Sequence, residues 1–91
     1  MSAKKTFNFS VTRTVFDDGY MVEKWTDTLV YIYVPLNLLP RWNLKDLFDS
    51  LGQPNHFDLT IDKVIFGWDG NAKVIDELYN HLVEVCSNEH I

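Results

Sequence analysis

Ninety-one residues, 46% of them hydrophobic, make one domain over residues 1–91, and six Phe, four Tyr and three Trp favour a compact fold over disorder. A formal net charge of −5 argues against nucleic acid and anionic membrane as direct partners, because both are polyanions. A single cysteine, Cys86, excludes an internal disulfide and fits a reducing compartment.

The opening MSAKKTFNFS has two lysines but no apolar run behind them, so it does not read as a secretory signal. The longest unbroken apolar run, Leu29 to Leu36, is too short to span a bilayer. A cytoplasmic location is the expectation.

From Thr6 to Phe16 apolar and polar residues alternate. Phe7, Phe9, Val11 and Val15 fall on one face, and Thr6, Asn8, Ser10, Thr12 and Thr14 on the other, which predicts one half-buried strand. Asp17-Asp18-Gly19 then reads as a three-residue hairpin loop, with Gly19 at the positive-φ position. That loop sets Val15 opposite Met21, Arg13 opposite Glu23 and Val11 opposite Trp25. Apolar meets apolar and cation meets anion, whereas a one-residue slip breaks every pair.

Tyr20 to Trp25 is the second predicted strand, and Thr26-Asp27-Thr28 a tight turn or bulge after it. Leu29 to Val34, LVYIYV, is apolar on both faces and predicts a central strand. Pro35 and Pro40 bracket an irregular apolar loop in which Arg41 and Trp42 are either a contact point or a staple over the following helix. Asn43 caps a helix carrying Leu44, Leu47, Phe48 and Leu51 inward, and Gly52 and Pro54 end it. Leu59 to Trp68 reads as the last strand, with its period slipping near Asp62-Lys63, which suggests a bulge or a late start. A final helix from about Ala72 to Cys86 turns Ile75, Leu78, Tyr79, Leu82 and Cys86 inward. The order β-β-β-α-β-α predicts an α+β fold: an antiparallel sheet of three to four strands with two helices packed on one face. The uncovered second face of Leu29 to Val34 points to the proline loop or a homodimer as its cover, with Tyr31, Tyr33 and Trp25 as the candidate dimer interface.

Chemical motifs are sparse. Gly67-Trp68-Asp69-Gly70-Asn71 sits where a phosphate loop would, yet it has neither G-x-G-x-x-G nor G-K-[ST], and Asp69 repels phosphate; it reads as a corner capped by Asp69 or Asn71. His56 and Asp58 lie two apart but are too few for a metal site. His81 borders the apolar stripe of the last helix, and Cys86 with His90 lacks a second ligand pair. Cys86 falls on the inward stripe, where a thiol behaves as a small hydrophobe. No catalytic, cofactor or metal residues are assigned.

Charge is unevenly divided along the chain. Residues 1–45 hold six cations against four carboxylates, +2, and residues 46–91 hold two cations against nine carboxylates, −7. The expected function is therefore non-enzymatic: a protein-binding or inhibitor protein that docks Asp46, Asp49, Asp58, Asp62, Asp69, Asp76, Glu77 and Glu84 on a basic site of a partner protein, a site that in other circumstances holds nucleic acid. Small phage-encoded anti-restriction and anti-defence proteins that mimic DNA inhibit in this way, an analogy of size and charge. The alternatives are a homodimeric regulatory or adaptor domain without mimicry and, less favoured, a small enzyme.

Overall fold

The computed structural model describes residues 4–8, as backbone, and 11–88. In chain order the elements are β1 (Lys4–Asn8), β2 (Val11–Phe16), β3 (Met21–Trp25), β4 (Leu29–Pro35), a 3-10 turn (Leu39–Arg41), α1 (Leu44–Leu51), β5 (His56–Leu59), β6 (Lys63–Asp69) and α2 (Ala72–Asn88). All strands pair antiparallel in one sheet of order β1-β2-β3-β4-β6-β5. With both helices on one side, this is the α+β architecture expected from the sequence.

Six strands appear where three to four were expected, because the first predicted strand is a hairpin and a further strand, β5, forms ahead of the last one and pairs with it. The stretch Thr6 to Phe16 divides into β1 and β2, which pair from Lys4↔Phe16 to Asn8↔Thr12. Its alternation runs on without a Gly or Pro to break it, so period alone could not divide it into two strands. The predicted side-chain faces of Thr6, Phe7, Asn8, Phe9 and Ser10 lie outside the described residues, as does His90. The slip near Asp62-Lys63 is a late start rather than a bulge: β6 begins at Lys63, after a turn. There Thr60 Oγ1 accepts from the backbone N–H of Lys63 at 3.1 Å and donates to Asp62 Oδ1 at 3.0 Å, and β5 precedes the turn.

The first hairpin has the predicted register: Val15↔Met21, Arg13↔Glu23 and Val11↔Trp25. Gly19 takes φ 110°, the conformation that closes a three-residue loop and that L side chains avoid. β4 is central, flanked by β3 and β6.

Between sheet and helices lies the core. Val22, Val30, Ile32, Val34, Val64, Phe66 and Trp68 from the strands meet Ile75, Tyr79, Leu82 and Cys86 from α2, all buried. At ~25 cal/mol per Å² of apolar surface removed from water, this contact is the main favourable term holding α2 to the sheet. Tyr79 and Thr14 share a buried hydroxyl–hydroxyl bond of 2.6 Å. Asn71 caps α2 through Oδ1, which accepts from Val74 N–H at 2.9 Å; Asn43 caps α1 in the same way through Asp46 N–H at 3.1 Å.

α1 covers the other end of the same side, where Phe48 meets Phe66 edge-on with ring centroids 5.2 Å apart and Trp68 Nε1 donates to Gly52 O at 3.0 Å. Trp42 is part-buried and donates from Nε1 to Tyr20 Oη at 2.9 Å, so it staples the loop rather than standing out as a contact point. No helix of the described residues is long and apolar enough to cross a membrane.

Candidate functional site

Alternation along the strands leaves one side of the sheet without a helix over it. The registers order that side into cross-strand rows. One row runs Val15, Met21, Tyr33, Ile65, Asp58. The next runs Arg13, Glu23, Tyr31, Gly67, His56, and a third Val11, Trp25, Leu29, Asp69. A groove of about 640 Å³ lies across these rows, lined chiefly by Trp25, Tyr31, Tyr33, His56, Asp58 and Ile65.

Gly67 explains the shape of the groove. A Cβ there would stand 2.6 Å from Cδ1 and Cε1 of Tyr31 and 3.1 Å from His56 Cβ. Only a glycine lets the Tyr31 ring lie over β6, and a glycine inside a strand signals such close approach. Tyr31 in turn is the hub of the rings. Its centroid is 6.4 Å from Trp25 at an interplanar angle of 89°, 6.4 Å from Tyr33 at 61° and 6.0 Å from His56 at 60°. These edge-to-face arrangements are the ones aromatic quadrupoles favour.

Beneath the rings lies a carboxylate. Glu23 is 1% exposed although it belongs to the uncovered side. Its Oε1 accepts from Tyr33 Oη at 2.6 Å and from Trp25 Nε1 at 3.2 Å, and its Oε2 accepts from Arg13 Nε at 2.7 Å. Burial pushes the Glu23 carboxyl up. Hydrogen bonds from Tyr33, Trp25 and Arg13, with the charge of Arg13, outweigh that push and hold it below its ordinary 4.5. Burial, then the bond to Glu23 and its charge, push the Tyr33 hydroxyl far above its ordinary 10.0. Neither group is suited to proton transfer near neutrality: the carboxylate is a weak base with its lone pairs engaged, and the phenol is a weak acid.

The acidic residues do not form one surface. Asp58 lines the groove, and Asp69 stands at its margin, where it accepts from His56 Nε2 at 2.8 Å. Asp62 lies in the β5–β6 turn. Asp46 and Asp49 are on α1, and Asp76, Glu77 and Glu84 on α2, across the sheet from the groove. Asp49 pairs with Lys45 at 3.0 Å and Asp76 with Lys24 at 2.9 Å. Among the described residues Asp46, Asp58, Asp62, Glu77 and Glu84 have no salt-bridge partner within 4.0 Å. Tyr31, Tyr33 and Trp25, the predicted aromatic set, are by contrast brought together.

The corner reading of Gly67 to Asn71 is corrected in part. Gly67 is inside β6, and only Gly70-Asn71 makes the turn into α2. Of the two candidate caps, Asn71 is the one used, accepting from Val74 N–H, while the Asp69 carboxylate is engaged by His56. No group of three or more metal-ligating side chains occurs among the described residues. Cys86 is fully buried, as its place on the stripe implied. Sequence reasoning missed the burial of Glu23 and the inclusion of His56 and Asp58 in the groove; the Arg13–Glu23 pair and the mid-strand Gly67 were the available signals. Comparison with family models, curated proteins and solved structures gives no match.

Proposed function

We propose that this chain is a non-enzymatic protein-binding domain that docks on a basic surface of a partner, with the open side of the sheet as its contact face. The observation that carries this reading is the groove itself: preformed rings, one of them the 42% exposed Trp25, with a carboxylate, Asp58, that has no cation of its own. Tyr and Trp anchor interfaces well because they add large contact area at low entropic cost. The engaged state of Glu23 and Tyr33 favours binding over catalysis. In its narrower form the partner's basic site is one that also takes nucleic acid, and the domain inhibits by occupying it, with Asp46, Glu77 and Glu84 on the helical side adding long-range attraction.

Homodimerisation through the same face is the second reading, favoured by the 36% exposure of Val15 in the same row as Tyr33. Affinity capture from a lysate of the source cell at low and high salt, with light scattering of the bait, tests both. A partner held at low salt and lost on Asp58→Lys with Asp69→Lys supports docking. A stable dimer with no salt-sensitive partner overturns it in favour of the dimer.

A further inference from the structure

Resting on the protein-binding reading, the geometry points to a specific occupant for the groove: a basic side chain, arginine above all, on an extended segment of the partner. Trp25, Tyr33 and His56 surround Tyr31, and the faces of Trp25, Tyr31 and Tyr33 carry the negative side of an aromatic quadrupole, which attracts a cation within about 6 Å of a centroid. Tyr33 and Trp25 both donate to the Glu23 carboxylate. Donation to an anion moves electron density into the rings and strengthens that attraction, and it also fixes both side chains before any ligand arrives, so little ordering remains to be done on binding.

Charge selects the sign of the guest. Glu23 is neutralised by Arg13, so it gives no free counterion. Asp58 does. It lines the groove, and among the described residues its carboxylate accepts only from the backbone N–H of Leu59, at 2.9 Å. Lys63, the other cation of this side among the described residues, is not part of the lining. A guanidinium stacks flat on Trp or Tyr and pairs with a carboxylate at its edge, a combination the compact, strongly hydrated ammonium of lysine matches less well. About 640 Å³ exceeds what one side chain fills and suits a side chain with the backbone on either side of it.

The test is titration of the ¹⁵N-labelled protein with the peptide Ac-Gly-Arg-Gly-NH₂, read on the indole N–H signals of its three tryptophans. Trp42 and Trp68 donate to Tyr20 and Gly52 on the far side and serve as internal references. The Trp25 signal shifts saturably with the arginine peptide, less with its lysine counterpart and not with the isosteric, neutral citrulline peptide. Asp58→Asn, at an exposed position, weakens the binding about tenfold, whereas Asp62→Asn, an equal charge change outside the groove, leaves it within about twofold. Equal shifts with citrulline and arginine, or indifference to Asp58→Asn, overturn the assignment. The two readings fail separately. Arginine binding without any captured partner leaves the groove assignment standing alone. A partner whose capture survives Asp58→Asn while the arginine peptide does not bind leaves only the docking.

Discussion

Replacing Glu23 with glutamine strikes the polar floor of the open face while leaving its volume unchanged. The carboxylate gives one oxygen to Tyr33 and Trp25 and the other to Arg13. A glutamine has one acceptor oxygen. If that oxygen keeps Tyr33 and Trp25, the new NH₂ meets the Arg13 guanidinium, donor against donor. If the amide flips, it faces the Trp25 N–H, which cannot accept. One hydrogen bond to a charged group, contributing about 1.5–3 kcal/mol, is lost in either case and the others weaken. Because the Arg13 side chain is 45% exposed and can turn toward water, the expected loss is about 2–3 kcal/mol rather than the larger cost of stranding a fully buried charge. For a chain of this size that lowers Tm by roughly 8–24 °C.

Urea unfolding followed by tryptophan fluorescence measures the difference, and its pH dependence checks the cause. The Glu23 pKa is depressed in the folded protein relative to 4.5. Its contribution is therefore fully present above about 4.5 and is lost as pH falls through the lower, folded-state value. Wild type should exceed Glu23→Gln by the full amount at pH 7, and the gap should narrow progressively below about pH 4.5. A gap under about 0.5 kcal/mol at pH 7, or one of constant size down to pH 3, would refute the network as drawn.

Gly67→Ala forces its Cβ against Tyr31, which is only half-buried and can move, so the stability loss is about 1 kcal/mol by urea unfolding while the Tyr31 ring signals shift in NMR. Tyr79→Phe removes the buried bond to Thr14 and costs about 1 kcal/mol in the same assay. The Cys86 thiol, fully buried, reacts with an aromatic disulfide reagent only after unfolding in urea; rapid reaction of the native protein would mean that the α2 core opens readily.

Where a local rule fixed geometry, the sequence was readable. The Asp17-Asp18-Gly19 loop set the register of β2 and β3 because only one register satisfies both its apolar and its charged pairs. Asn43, Gly52 and the apolar stripes placed both helices for the same reason. Periodicity alone could not divide an unbroken alternation into two strands, so the break between Asn8 and Val11 was missed. The groove was only partly legible: Tyr31, Tyr33 and Trp25 were grouped by alternation within neighbouring strands. His56 and Asp58 arrive from β5, whose pairing with β6 depends on reading Thr60 to Lys63 as a turn. The Arg13–Glu23 pair was legible from the register, but nothing local announces that Trp25 and Tyr33 close over Glu23 and bury it.

The charge split along the chain also fails to become a split in space, and this bears on how docking would proceed. Pairing β4 with β6 lays the two halves of the chain side by side, so Asp58 and Asp69 share a face with Glu23 while Asp46, Asp49, Glu77 and Glu84 occupy the far side. On the proposed reading these groups govern different steps. Exposed carboxylates outside the contact act through the long-range field, which steers encounter and is screened within about 8 Å at physiological salt. Groups inside the contact act on dissociation. Asp46→Lys with Glu84→Lys should therefore slow association with the captured partner several-fold, an effect that vanishes as salt rises, with the dissociation rate unchanged. Trp25→Ala should raise the dissociation rate at every salt concentration and leave association nearly alone. Surface plasmon resonance over a salt series separates the two rates. If instead the helical pair controls dissociation, the partner sits on the helices, and the open sheet face is not where this protein docks.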